Sequence, residues 1–436
     1  MLVSPTADFV ACFFGVLRAG GVVVVLSPLH PAPETRYFCE DAGVRTVVAS
    51  ADLASTVAFL APERRVVLTS SLVEPAPVAL SRLPAVREEA AALQLYTSGT
   101  TGKPKGAVIT HGNLATQQQL LADAWGWTRA DVLLHTLPLH HMHGLAIAWL
   151  SAVGAGATTR FLGAFDARRV WDAMSDATVF MAVPTIHAKL FASFDAADGA
   201  TRSAWTAGAR GLRLVTSGSA ALPVTVGQRW TELTGAYPLE RFGMTEIGVG
   251  TTNPLDPAKR RPGTVGEPLP TVDTRVVDGE LWVAGPSVFG EYHGKPEATR
   301  ESFVVDEGTR WFRTGDTVER DALGYVRILG RTSVDILESG GYKLSALEIE
   351  EVLREHPAVA DVAVVGLADP TWGERVVACV VARPGREEEC SEDALRGFAK
   401  ERLASYKVPR SVVVMPELPR NAVGKVMKPV LIKQLG

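Results

Sequence analysis

Apolar and polar positions follow three successive rhythms along this chain. From residue 20 to about residue 250, short β-branched runs (VVVVL, TVVAS, RVVLTS, TVFMAV, LRLVTS) are separated by helix-length amphipathic stretches such as NLATQQQLLADAW and PVTVGQRWTELTG. Short apolar runs suit buried strands and the longer stretches suit helices, so this part predicts a layered α/β domain. Its strands should be mostly parallel, with ligand-binding loops at their carboxyl ends. Between residues 270 and 330 the pattern shifts to short strands, glycine turns and acidic loops (VVDGELWVAG, GYVRILG), which predict a small antiparallel β subdomain. After Arg331 it resets. Ser345 with Glu348 forms a capping box that opens the helix ALEIEEVLREH, and the strands ADVAVVGL and VVACVVA follow. A second helix and strand complete an α+β unit of about a hundred residues, an ordinary small-domain size.

The apolar stretch Phe9 to Leu26 is interrupted by Arg18 and three glycines, so it reads as a buried helix and strand, not as a membrane span or signal peptide. A chain of 436 residues exceeds one ordinary core, which agrees with a large domain plus a smaller one. Hydrophobic residues make up 47% and charged residues 21%, and the net charge of −4 gives no electrostatic basis for binding nucleic acid or an anionic membrane. Cys12, Cys39, Cys379 and Cys390 lack CxxC spacing, so neither a zinc site nor a disulfide framework is indicated, and a cytoplasmic location is expected.

The chemistry concentrates first in Tyr96 to Gly106, YTSGTTGKPKG, directly after the strand-like LQL. Glycines let backbone N–H groups approach a polyphosphate, hydroxyls donate to its oxygens, and Lys103 and Lys105 neutralise charge. The P-loop pattern GxxxxGK[ST] does not fit, because Gly99 and Gly102 are too close and a proline follows Lys103. The run closely resembles the signature loop of adenylate-forming enzymes: acyl-CoA synthetases, luciferases and nonribosomal adenylation domains. The resemblance continues in order through SGSAALP (Ser217 to Pro223), ERFGMTE (Glu240 to Glu246), WFRTGD (Trp311 to Asp316), GRTSVDILESGGYK (Gly330 to Lys343) and PRNAVGKVMK (Pro419 to Lys428).

That resemblance implies an N-terminal adenylation domain over 1–330, a hinge at 331–335 and a mobile C-terminal lid over 336–436 that carries the catalytic lysine. It also implies that family members have further chain before the helix and strand found at the start of this sequence. The implied reaction has two halves: a carboxylate attacks the α-phosphate of ATP to give acyl-AMP and pyrophosphate, and a thiol then displaces AMP. Charge builds on phosphate oxygens, so cations and donors supply most of the help. Carried over residue by residue, Lys425 matches the lysine that bridges carboxylate and α-phosphate, Glu246 the holder of Mg²⁺, and Thr245 a donor to the α-phosphate. The loop residues Thr97, Ser98, Gly99, Thr100, Thr101, Lys103 and Lys105 match the phosphate cradle. Phe242 with Gly243 on one side and the turn Ser219–Ala220 on the other match the adenine site. Asp316 matches the acceptor of both ribose hydroxyls, assisted by Arg331, and a carboxylate suits that task because it accepts two hydrogen bonds side by side. Gly340 and Gly341 match the loop that lines a tunnel for the pantetheine arm of CoA.

Two departures from the generic family pattern point to the acid. Arg241 precedes FGMTE where many relatives carry glycine, and PLHHMHGL places His143 beside the family histidine, His141. An arginine on a strand edge facing an acyl pocket cannot shed its charge, and a second carboxylate on the substrate would pair it. Arg241, His141 and His143 together predict a short pocket for a small dicarboxylic acid, which resembles malonyl-CoA synthetases. Methylmalonate adds one methyl, worth only about 1–3 kcal/mol in a pocket, so tolerance for it is expected. The alternatives for Arg241 are a salt bridge to Glu240 or another acidic group. An alternative for the whole chain is an adenylation module that loads a carrier protein in place of CoA, and another is a relative retained for interaction alone.

Overall fold

The computed structural model describes residues 1–72, 83–97, 103–421 and 424–436. The apolar start forms the helix Ala7–Arg18 and the short strand Val23–Val24, and Phe9 and Phe13 pack edge-on against Trp149 in the largest core. Among the described residues no helix is long and apolar enough to cross a membrane.

The five β-branched runs form Val23–Val24, Thr46–Ala49, Arg65–Leu68, Val179–Ala182 and Leu214–Ser217, and the two quoted amphipathic stretches lie in His111–Trp125 and Val224–Thr234. A seven-stranded sheet forms the centre. Across it run Glu267–Pro268, Gly248–Thr252, Leu239–Met244, Leu214–Ser217, Val179–Ala182, Val132–His135 and Thr158–Phe161. Its last five strands are parallel and the first two antiparallel. A second sheet departs further from the expected parallel order. Val23–Val24 pairs in parallel with Ala91–Thr97, but Ala91–Thr97 pairs antiparallel with Lys105–Thr110, because only seven residues separate the two strands in sequence, too few for the crossover a parallel pair needs.

The expected antiparallel subdomain is present as Asp273–Val277, Glu280–Ala284, Phe303–Asp306, Thr309–Arg320 and Val326–Arg331. Beyond it lies a small C-terminal domain around Val359–Asp369 and Gly373–Ala382. Its strands alternate between two cores: Val362 and Val364 pack against Ile349 and Leu353, and Ala363, Val365 and Cys379 against Leu431. Ser345 caps the helix Ala346–Arg354 by accepting from the Glu348 N–H at 3.2 Å. The expected box is only half formed, since the Glu348 carboxylate accepts from Lys407 Nζ at 2.7 Å. An ammonium is a stronger partner for a carboxylate than a neutral N–H.

Candidate active site

Loops at the carboxyl ends of the parallel strands carry much of the expected chemistry. Strand Leu214–Ser217 ends in the turn that contains Ser219, whose φ of +68° lies in the left-handed region that non-glycine residues seldom occupy. Its hydroxyl lies 3.2 Å from Nδ1 of His143. His143 opens an eight-residue π-helix, His143–Leu150, a wound-out geometry that concentrates at functional sites.

Arg241 stands next to this histidine. Its strand, Leu239–Met244, is not at an edge of the sheet as expected, but its parallel partner stops at Ser217, opposite Glu240. Arg241 therefore turns into the space beyond the end of that partner. The guanidinium lies against Gly218, where an added Cβ would fall 2.5 Å from Cζ, so only glycine leaves room for it. Arg241 is 3% exposed, and its Nε and Nη2 have no hydrogen-bond partner among the described residues. His143 Nε2 is equally orphaned. Burial lowers the pKa of Arg241 to about 10, and burial followed by the Arg241 charge drives that of His143 well below the usual histidine value. The hydroxyls of Thr216 and Ser217, which sequence reasoning passed over, are also buried without a partner among the described residues.

The salt bridge to Glu240 does not form. Successive strand residues face opposite sides. The Glu240 carboxylate accepts from the Gly263 N–H at 2.9 Å, and burial raises its pKa to about 8. For the same reason Arg241 and the half-buried Phe242 serve different faces of the sheet, one suited to an acyl group and the other to a base. His141 turns toward His140, with ring centroids 4.3 Å apart, and burial lowers its pKa to about 4. Of the two expected histidines, His143 is the one with a hydrogen bond to the Ser219 turn and an orphaned nitrogen beside Arg241.

The turn after Leu239–Met244 carries Thr245, half-buried, and Glu246, 4% exposed. Glu246 Oε1 accepts from the Tyr292 hydroxyl at 2.8 Å, and among the described residues no cation pairs with this carboxylate. A buried carboxylate with a free oxygen fits Mg²⁺, which takes one or two carboxylates together with substrate phosphates. Tyr292 is a site residue that the motifs did not reveal. Lys105 Nζ lies 5.0 Å over its ring, so one aromatic side chain connects the phosphate loop to Glu246. Thr97 pairs with Lys105 at the base of that hairpin, and Lys103 Nζ lies 5.3 Å over Tyr37. Ser98, Gly99, Thr100 and Thr101 lie outside the described residues.

Asp316 and Arg331 face each other on paired strands, with Arg331 Nε 3.2 Å from Oδ1. Oδ2 is buried without a donor among the described residues, and burial raises the Asp316 pKa to about 6 against the pull of Arg331 and Lys425. An orphaned carboxylate oxygen suits a ligand hydroxyl. Lys425 arrives from the C-terminal domain. Its side chain is exposed toward solvent on one side, yet it is sufficiently enclosed that desolvation lowers its pKa, with the charge of Arg331 acting in the same direction. It has no ion pair among the described residues.

The segment behind Lys425 is anchored by Lys428, whose Nζ lies 2.5 Å from Asp335 Oδ1 and 2.7 Å from Glu350 Oε1. Asp335 Oδ2 in turn accepts from the Arg331 N–H at 3.0 Å. Gly340 and Gly341 form a two-residue hairpin turn with φ of +59° and +81°, the conformation of a type I′ turn. Gly340 packs on Trp372, and no described contact brings this turn to Asp316, Glu246 or Arg241.

Residues 1–293 match the family model of AMP-binding enzymes, and residues 348–425 match the AMP-binding enzyme C-terminal domain. The chain belongs to the AMP-binding enzyme family. This AMP-binding enzyme is 40% identical to the mitochondrial malonate–CoA ligase ACSF3 of Mus musculus over 482 aligned residues, covering all of this chain and 81% of the relative. It superposes on ATP-bound MatB from Rhodopseudomonas palustris with a TM-score of 0.90 at 33% identity, covering 99% of this chain and 87% of that one. The same MatB without ligand gives 0.77. A malonyl-CoA ligase in a ternary product complex with methylmalonyl-CoA and AMP gives 0.69 at 37% identity, covering 96% and 90%. Of these three structures, the ATP-bound one superposes best over the whole chain, in agreement with the approach of Lys425 to Asp316.

Proposed function

We propose that this AMP-binding enzyme is an ATP-dependent acyl-CoA synthetase that converts malonate, and also methylmalonate, to the CoA thioester. The observation that carries the substrate assignment is the buried pair of Arg241 and His143, with three polar nitrogens lacking a partner among the described residues beside a glycine-lined turn. Leaving a buried charged donor unpaired costs about 1–3 kcal/mol or more, so an acid with a second carboxylate is favoured over one with a methyl there.

In the first half-reaction a malonate carboxylate oxygen attacks the α-phosphorus of ATP and pyrophosphate leaves. Lys425 bridges the attacking carboxylate and the α-phosphate, and Thr245 donates to the same phosphate. Asp316 and Arg331 hold the ribose, and Phe242 and the Ser219–Ala220 turn hold adenine. Glu246 would hold Mg²⁺, which would supply positive charge to offset that of the phosphates. In the second half-reaction the CoA thiolate attacks the acyl carbon, the acyl–phosphate bond breaks and AMP leaves. The lid pivots within Thr332 to Asp335 between the two, and Gly340–Gly341 lines the pantetheine path. These role assignments rest on the family motifs together with the orphaned groups of Asp316, Arg241 and His143 and the uncompensated carboxylate of Glu246.

The test is AMP release from ATP and Mg²⁺ with malonate, methylmalonate, acetate and propionate, each with CoA, with a phosphopantetheinylated carrier protein and with neither thiol. Turnover selective for the dicarboxylates and dependent on CoA supports the proposal. Preference for the monocarboxylates refutes the Arg241 pocket, and preference for the carrier protein refutes the acceptor.

A further inference from the structure

Across the boundary between the domains, Glu351 Oε1 accepts from the backbone N–H of Val224 at 2.8 Å. Val224 is the first residue of the helix Val224–Thr234, and the preceding residue, Pro223, has no side chain that could cap it. The first N–H groups of a helix have no partner within it and carry the positive end of its dipole, so a carboxylate from outside is a suitable cap. This one is supplied by the other domain. Glu351 lies on the helix Ala346–Arg354, and its second oxygen is 3.3 Å from Arg354 Nη1. The neighbouring Glu350 holds Lys428, so one helix bonds both to the segment carrying Lys425 and to the N-terminal domain. The capped helix begins four residues after Ala220, close in sequence to the Ser219–Ala220 turn proposed above to flank adenine.

We propose that Glu351 is a positioning residue that holds the two domains in the arrangement for acid activation, by capping the helix at Val224, and that lets go when the lid rotates for thioester formation. The idea rests on the two-step reaction proposed above. A bond present in only one of two arrangements shifts their equilibrium by its own differential strength. Glu351 therefore raises the population of the adenylation arrangement relative to the thioester-forming one by that factor.

Two substitutions remove the bond from opposite sides. Glu351→Ala deletes the acceptor. Val224→Pro deletes the donor and keeps the helix, because proline is well tolerated at a first helical position. Each half-reaction is then measured alone: malonate-dependent ATP–pyrophosphate exchange, and single-turnover transfer from prepared malonyl-adenylate to CoA. Each variant is expected to slow exchange by about tenfold, within the range for one charge-assisted hydrogen bond, without slowing transfer. The double variant should lose no more than either single one, and Glu351→Gln, which keeps an acceptor oxygen, should fall between. Equal losses in both half-reactions, additive losses, or no loss would overturn the proposal.

A second readout needs no malonate. Spin labels at the exposed Ala200 and Lys400 report the distance between domains with ATP bound. Both variants should broaden or shift that distribution relative to the parent, and an unchanged distribution refutes the latch. If the parent protein shows no exchange with malonate, the substrate assignment fails and the distance measurement alone decides the latch.

Discussion

At the residue scale the candidate site is defined by polar groups that the fold buries without partners among the described residues. Arg241 is the clearest case, since burial without a counter-ion is tolerated only where a ligand completes the pairing. Arg241→Ala should therefore lower kcat/KM for malonate by about 100-fold or more while changing that for propionate by less than about threefold, as parallel steady-state kinetics will show. Equal losses on both acids would refute its role.

Asp316 makes a different prediction. Burial raises its pKa from 3.8 to about 6, so between those values the folded state binds more protons than the unfolded one, and stability falls as pH rises through that window. Above about pH 6 the buried charge costs up to about 3 kcal/mol. Asp316→Asn should raise the melting temperature at pH 7, and the gain should vanish below about pH 4. The same variant should weaken ATP binding at pH 7, and in the parent protein ATP binding should weaken as pH falls below about 6. A melting temperature lowered by the substitution at pH 7 would show that Arg331 more than compensates for the burial.

At the element scale, the loop that carries Lys425 depends on a salt-bridge triad at the base of the C-terminal helix Lys428–Leu435. Lys428 satisfies Asp335 and Glu350 at once, and each of the three side chains is nearly buried. Lys428→Met would leave two buried carboxylates without their cation, a loss expected to cost about 3–5 kcal/mol. Calorimetry should show a lowered transition for the C-terminal domain, and adenylation should fall with it because Asp335 also ties down the Arg331 backbone. An unchanged transition would mean that water replaces the ammonium. The Gly340–Gly341 turn shows how far local pattern reaches. The glycines specify the hairpin, but here the hairpin packs on Trp372, away from the Asp316 site.

At the scale of the whole molecule, the N-terminal and C-terminal domains meet at Glu351 with Val224 and also at Gly424, where an added Cβ would lie 3.3 Å from Cβ of Thr185. That spacing is near the range a disulfide spans, although the φ of +81° at Gly424 would strain a cysteine by about 1–2 kcal/mol. The double variant Thr185→Cys, Gly424→Cys, once oxidised, should retain ATP–pyrophosphate exchange and lose CoA-dependent turnover, and reduction should restore turnover. Retained turnover in the oxidised form would mean that one arrangement serves both steps.

Local patterning in the chain was enough to determine most of its elements. β-Branched runs alternating with amphipathic stretches marked strands and helices, because those periods follow from backbone geometry alone. The ordered motifs, through their family resemblance, supplied the candidates for meeting phosphate, ribose and base, since loop residue types are constrained by what they must donate or accept. Only the tertiary structure decided which groups lack partners and which face each other. It separated His143 from His141, released Arg241 from Glu240 by the alternation of a strand, and brought Tyr292 beneath Lys105. It also set Glu351 against a helix 127 residues away in sequence. Such pairings depend on where distant segments come to rest after packing, and a one-dimensional pattern carries no record of that.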